Sequence, residues 1–476
     1  MSETPGQQGQ TTPPGADIPR RTAVIHKLST VWECALPRTG HDHEVLPFVE
    51  NLSLVDHHCH GLLTRDLSRP DFERMLTESD EPAPAGTTLF DSHVGFAVRR
   101  WCAPVLDLAP HSSPEDYLAR RGELGVEEVN RRFVRAAGIG AFCVDAGYLP
   151  EPLMSAGELA VACGAAGHDI LRLERLAETL AVDIVTGQLG VNHFADTIRE
   201  RIAGASPTTV GLKSVAAYRV GLALPAARPT DREVTAAVRE WMALIRRGVP
   251  IRLANPLLHA FLIWTGVDAG LPIQIHVGYG DADLDLDRCN PLLLTGLLRA
   301  LAPTGVPVML LHCYPYHREA GYLAQILPTV HMDVGLALQN LGRRAPVLLG
   351  EALELVPFSR FLFSTDAFGL GELYLLGSLL FRRALSTVLA DGIADGDWTE
   401  QDATRLAEMI GAGNARRVYR LDEPGRETAA VTASRLPAVA PTAAAASATV
   451  EIAAPETGAP ETAASPVEPQ PQPQPH

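Results

Sequence analysis

Apolar positions along this chain follow two periods. Short, nearly continuous apolar runs recur at Ser53–Cys59, Ala141–Ala146, Ile170–Leu176, Val210–Val215, Pro272–Val277, Val306–His312, Val330–Val334 and Phe361–Ser364. Runs of that length with little alternation predict strands covered on both faces, as in a parallel sheet. Between them lie longer stretches with a 3.6-residue repeat. Asp231–Arg247, Pro291–Ala302 and Glu372–Leu389 are examples, and they predict amphipathic helices. Eight strands with helical crossovers predict an α/β fold, a closed (β/α)8 TIM barrel. An open doubly wound sheet is the alternative, but no GxGxxG follows an early strand. One connection breaks the rhythm. Gly61 to Gly138 is far longer than a barrel crossover, holds helical patterns, and carries an acidic, proline-broken run at Glu78–Pro84. It is expected to be a helical insertion (61–138) after the first strand, roofing one side of the barrel mouth.

Composition sets the limits of this domain. Residues 1–20 are rich in Gly, Gln, Pro and Thr, and residues 425–476 in Ala, Pro, Thr and Glu. Neither end holds enough apolar surface to offset the entropy of ordering, so both are expected to be disordered, with the barrel at 21–424. Hydrophobic residues are 46% of the 476, enough for a sizeable core. Lys+Arg is 40 against Asp+Glu 56, a net charge of -16, which repels phosphate backbones and argues against a nucleic-acid partner. The seven cysteines are scattered with no CxxC pair, which suits a reducing cytoplasm. The opening MSETPGQQGQTTPPG has no apolar core of a signal peptide. The runs at Leu292–Leu298 and Val306–Leu311 are too short to span a bilayer. The expectation is a cytoplasmic protein with a small-molecule partner and no membrane partner; whether it forms a homo-oligomer is left open.

The richest segment for chemistry is Val55-Asp56-His57-His58-Cys59-His60. On a strand, alternate residues share a face, so Asp56, His58 and His60 are expected to point one way and His57 and Cys59 the other. Two imidazoles two positions apart at a strand's end suit one divalent ion. Three later strands end in His276, His312 and Asp366. A lone histidine after an apolar run is usually a hydrogen-bonded structural residue. A closed barrel, however, gathers every strand end into one ring, so these residues would converge. His276 and His312 lie one βα unit apart, and His312 and Asp366 two. Lys213 ends the fourth strand.

This constellation resembles the metal-dependent amidohydrolase superfamily (amidohydrolase-2 type). It is most similar to the amidohydrolase domain of FluG-type and nodulin-type proteins. The likeness is carried by Gly211-Leu212-Lys213-Ser214 with Tyr218-Arg219, by His276 through Gly280-Asp281, and by Tyr314-Pro315-Tyr316 with Arg318 to Tyr322. Phe363-Ser364-Thr365-Asp366 and a closing Asn414–Tyr419 segment complete it. The resemblance implies metal ligands at His58, His60, Lys213, His276, His312 and Asp366. Lys213 would then be carboxylated and bridge two ions; the alternatives are a substrate-binding ammonium or an ordinary barrel lysine. Without the bridge, one ion on His58, His60, His276 and Asp366 is the simpler site. Zn2+ suits an imidazole-rich set best, with Mn2+ or Fe2+ as alternatives. Asp366 and His312 are the expected catalytic residues. Asp366 would orient a water, take its proton and return it to the leaving amine, while His312 would bind an ion or polarise the carbonyl.

Substrate contacts are expected at Arg219, Asp281, Tyr314 and Tyr316. Arg219 would clamp a carboxylate or form a rim salt bridge. Asp281, Asp283, Asp285 and Asp287 would attract an ammonium or form a solvated loop. Arg318 would join the two tyrosines, and His93 and Trp101 would cap the pocket or simply pack. Cys59 and Cys313 read as buried small hydrophobes. Three functions follow: hydrolysis of an amide-type C–N bond of a small, glutamate-like molecule, a metal-dependent decarboxylation, or a non-catalytic signalling role on the same scaffold.

Overall fold

The computed structural model describes residues 45–147, 153–423 and 427–428, all inside the compact unit Met1–Arg435. The expected disordered segments 1–20 and 425–476 lie outside the described residues, apart from 427–428. Among the described residues seven strands form: β1 Leu54–Cys59, β2 Ile139–Asp145, β3 Ala166–Arg172, β4 Thr209–Ser214, β5 Ile273–His276, β6 Val308–Leu311 and β7 Val330–Met332. They pair in parallel in sequence order, from β1 to β7. The eighth apolar run, 361–366, closes the ring although it is too irregular to count as a strand. Leu362 N donates to Met332 O at 3.0 Å on one side. On the other, His57 N donates to Phe363 O at 3.2 Å and Asp366 N to His58 O at 3.1 Å. The barrel is therefore closed, as the eight runs predict.

One predicted strand is displaced. The third covers Ala166–Arg172 rather than Ile170–Leu176, and a helix begins at Leu173. The reason is periodicity: Leu173, Ala177, Leu180, Ala181 and Ile184 are all buried at helical spacing, so Leu173 and Leu176 belong to the outer layer.

Inward side chains of the strands, among them Val55, Ile170, Val210, Met309 and Leu362, pack on Ala415, Val418 and Tyr419. The helix Asn414–Tyr419 thus plugs the barrel from inside, and Asn414 ties it to the eighth run by donating to Phe358 O and Phe361 O. The long helix Gly371–Asp395 is apolar and long enough to cross a membrane, yet 78% of its most apolar window is buried in the protein. Expected as amphipathic, it is buried without a break from Gly371 to Arg382 because the barrel covers one side and the insertion the other. Glu372, fully buried on it, accepts from Tyr117 Oη at 3.0 Å and Arg121 Nε at 2.9 Å, which anchors the insertion helix Pro114–Leu124. That helix starts with Ser113 capping the Asp116 N–H and proline at its first position. The insertion, helical as expected, contributes residues 74–80 to the roof of the barrel mouth.

Candidate metal centre

β1 does not keep a strict alternation. Its pairing with β2 shifts between Asp56 and Cys59, an irregularity of the kind that re-aims side chains next to sites. Asp56 therefore does not join His58 and His60, as strand parity predicts. It turns to the eighth run, accepting from Thr365 N at 2.9 Å and Thr365 Oγ1 at 2.5 Å, and burial pushes its carboxyl up to about 8. His57 faces the barrel interior, 3.0 Å from Tyr419 Oη, while Cys59 packs in the outer core. Cys59 and Cys313 are both fully buried thiols, as expected.

His58, His60, His276, His312 and Asp366 do converge. One carboxylate serves as the hub: Asp366 Oδ1 lies 3.1 Å from His58 Nε2 and 3.4 Å from His60 Nε2, and Oδ2 lies 3.4 Å from His312 Nε2. The His276 ring sits 4.7 Å from that of His312. Lys213 Nζ is 3.4 Å from His58 Nε2, on the same side. Backbone geometry places these groups at a cost: His312, Cys313 and Asp366 have φ of 69°, 47° and 50°, a left-handed region that L residues rarely hold unless the surroundings impose it.

The electrostatics suit a cation. Burial drives the imidazoles of His58 down to about 3, His312 to about 4 and His276 well below its usual range, so their nitrogens are neutral donors at pH 7. Burial also pushes Asp366 up, but the facing His312, His58 and His60 rings overcome it and hold the carboxylate ionised. Burial takes Lys213 down to about 8. Asp366 Oδ1 and His276 Nε2 are buried without a hydrogen-bond partner, and unpartnered buried acceptors around one point are costly unless a cation joins them. The donor atoms form two sets within 4.8 Å: His58, His312 and Asp366, and His58, His60 and Asp145. Imidazole and carboxylate donors in such sets fit Zn2+ or a similar divalent ion.

Asp145 was not singled out from the sequence. It ends β2 after Ile139-Gly-Ala-Phe-Cys-Val144, the same apolar-run-then-ligand signal that marks His276 and His312. It is held by Arg172 (Nε 3.0 Å, Nη2 2.6 Å) and by Gly147 N.

Above these residues opens a cavity of about 720 Å³ whose lining includes His60, Lys213, His276, His312 and Asp366. Arg219 lines it, in a loose pair with Glu178 at 3.6 Å, and its buried Nε has no acceptor. Asp281 also lines it and is hydrogen-bonded to Glu78 of the insertion. Burial and this second carboxyl push Glu78 well up, so the pair shares a proton. Asp283 reaches the rim but pairs with Arg252 at 2.6 Å, and Asp285 and Asp287 lie exposed on the loop.

Tyr314 and Tyr316, expected at the substrate, do not line the cavity. The left-handed turn at His312–Cys313 carries the chain away, leaving Tyr314 stacked on His317 and Tyr316 Oη donating to Leu286 O. Arg318 is exposed and pairs with Glu351 and Glu354. His93 lies on the surface and Trp101 packs between Arg100 and Arg383, so neither caps the cavity.

A closed parallel barrel with imidazoles and an aspartate at its strand ends defines a class of metal-dependent enzymes, and comparison with known proteins agrees. The amidohydrolase family model matches residues 208–421. A solved structure from Lactobacillus casei ATCC 334, assigned as a metal-dependent hydrolase, is 30% identical, covers 79% of this chain and 97% of its own, and has a TM-score of 0.66. The chain belongs to the amidohydrolase family. Among individual proteins it is similar to Protein fluG of Emericella nidulans, with 27% identity over 416 residues, 79% of this chain. It spans 46% of that relative, less than half of its length. A uronate isomerase from Bacillus halodurans C-125 shares the fold at 13% identity, with a TM-score of 0.52 over 88% of this chain and 100% of its own.

Proposed function

We propose that this protein is a metal-dependent hydrolase that cleaves an amide-type C–N bond of a small, glutamate-like molecule. One observation carries the reading: three imidazole nitrogens lie within 3.4 Å of the Asp366 carboxylate in a buried cluster open to a cavity. The Lactobacillus casei relative, assigned as a metal-dependent hydrolase, supports hydrolysis over other chemistry on the same barrel. His58 would be shared by two donor sets, one with His60 and Asp145 and one with His312 and Asp366, beside Lys213 and the His276 ring, and Zn2+ is the ion this chemistry prefers. Bound there, the ion would supply Lewis-acid activation of water and of the substrate carbonyl at neutral pH.

The chain's own residues do the rest. Asp366 is ionised and faces the cavity, so it accepts a proton from water and delivers it to the leaving nitrogen. His312, neutral and buried, orients the carbonyl oxygen. Arg219 offers an unpartnered Nε–H to a carboxylate, and the Glu78–Asp281 pair faces an ammonium, so the cavity suits a substrate bearing both charges. The six described cysteines are free, which fits the cytoplasm as its setting.

Elemental analysis of the purified protein, with Asp366→Asn and Lys213→Ala beside it, tests the ion. Two ions per chain falling to one or none without Lys213 support a bridged site; one ion unaffected by Lys213→Ala supports the simpler set. Screening γ-glutamyl amides, N-acyl amino acids and aromatic carboxylates tests the reaction. Amine release without CO2 is expected, whereas CO2 release would replace hydrolysis by decarboxylation.

A further inference from the structure

Behind the imidazoles runs a second set of polar groups that the hydrolytic reading does not use. Gln274, two residues before His276 on β5, donates from Nε2 to His57 O at 2.7 Å and to Tyr419 Oη at 2.8 Å. Its Oε1 lies 2.8 Å from His58 Nδ1. A backbone carbonyl only accepts, so the amide has one orientation, with its NH2 on His57 O and its oxygen on His58. An amide oxygen also only accepts, and at 2.8 Å it forms the hydrogen bond to the ring, whereas Asp366 Oδ1, 3.1 Å from Nε2, forms none, so His58 Nδ1 carries the proton. His58 Nε2 is then left with its lone pair toward Asp366 and Lys213.

The set continues beyond Gln274. Tyr419 Oη, having accepted from Gln274, donates to His57 Nδ1 at 3.0 Å, and His57 Nε2 donates to Asp333 Oδ2 at 2.9 Å. Asp333 Oδ1 accepts from His312 N at 2.9 Å, in the left-handed turn, and from Gly335 N at 2.8 Å. His57, His58, Gln274, Asp333 and Tyr419 are all fully buried, so no bulk water competes for these bonds. A histidine that ligates a metal needs its other nitrogen protonated and held, and the loss of such a holder weakens binding.

We propose that Gln274 and Tyr419 are positioning residues that lock His58 in the Nδ1–H tautomer, so that the plug helix Asn414–Tyr419 sets the cation affinity at the opposite end of the barrel. The affinity part rests on the metal reading above; the tautomer part does not, so the two fail separately.

The test uses the full chain, stripped of metal and labelled with 15N-histidine, with the His58 signals identified by their loss in His58→Gln. Two-bond proton–nitrogen spectra of the wild type should show His58 protonated on Nδ1. Gln274→Met removes the acceptor and should convert His58 to a mixture with the Nε2–H form. Zn2+ affinity, read by competition with a chromophoric chelator, should fall by about 10- to 100-fold. Tyr419→Phe keeps the buried ring and should move both readouts the same way, by about 10-fold in affinity, because Gln274 retains its bond to His57 O. If Gln274→Met does not fold, Tyr419→Phe decides alone. A wild-type His58 on Nε2–H overturns the proposal. So does an unchanged tautomer in the folded variants, including the case where affinity falls, since that loss belongs to packing. A wild type with the Nδ1–H tautomer that binds no Zn2+ refutes the metal reading while supporting the tautomer assignment.

Discussion

Replacing Asp366 by Asn asks directly whether the imidazole cluster is a cation site. The substitution keeps shape and removes the charge facing His58, His60 and His312. In metal-free protein it removes a carboxylate that the His312, His58 and His60 rings favour, although Oδ1 has no hydrogen bond to lose, so the stripped variant is the baseline for its own Zn2+ shifts. With Zn2+ present the difference should be large. A ligand that binds only the native state stabilises it by about 2.7 kcal/mol at 100 times its Kd and about 4.1 kcal/mol at 1,000 times. Unfolding entropy near 2.1 cal/mol/K per residue, over about 380 residues from Val45 to Glu423, amounts to about 0.8 kcal/mol/K. The wild-type melting temperature should therefore rise by about 3 °C and about 5 °C at those two concentrations. The assay is thermal unfolding of chelator-stripped protein, followed by circular dichroism, at two Zn2+ concentrations a factor of ten apart. Asp366→Asn should show no rise at either. A variant that keeps the wild-type slope, or a wild type with none, would refute the argument that the orphaned acceptors await a cation.

Three further outcomes are expected. Arg121→Ala leaves the fully buried Glu372 with Tyr117 alone and should destabilise by about 3–5 kcal/mol in urea unfolding, while Arg121→Met with Glu372→Leu should recover most of that loss. Burial lowers His331 from the usual 6.5 to about 4, so the unfolded chain binds its proton first as pH falls. Its contribution is therefore fully present above pH 6.5 and is lost as pH drops from 6.5 to 4, by about 3 kcal/mol in total, and His331→Gln should remove that share of the fall while the share of His58, His276 and His312 remains. Gly280→Ala would place a Cβ 2.9 Å from His276 Nε2 and against Tyr218 Oη; activity should drop by about 100-fold with the melting temperature of the metal-free protein little changed.

The strand ends were legible because each is an apolar run followed by a polar residue, and a closed barrel makes such positions neighbours whatever their separation. Asp145 shows that same signal and needed only to be counted with the others. The face assignment on β1 was not legible, since the shift between Asp56 and Cys59 moves side chains without changing composition. Tyr314 and Tyr316 misled for a related reason: adjacency to His312 counts for nothing once a left-handed turn redirects the backbone. Glu78 meets Asp281 through the fold of an insertion that has no period in common with the barrel. Gln274 did leave a trace, a lone amide inside an otherwise apolar strand, and such a residue must have partners waiting.

The plug helix also bears on when the protein becomes active. Tyr419 is made 361 residues after His58; at about 5–20 residues per second, ribosomes take about 18–72 s to cover that interval. For that time the nascent histidine-rich strand exists without the group that completes its support. Ions captured by a half-made chain would meet a looser set of donors than the finished protein offers.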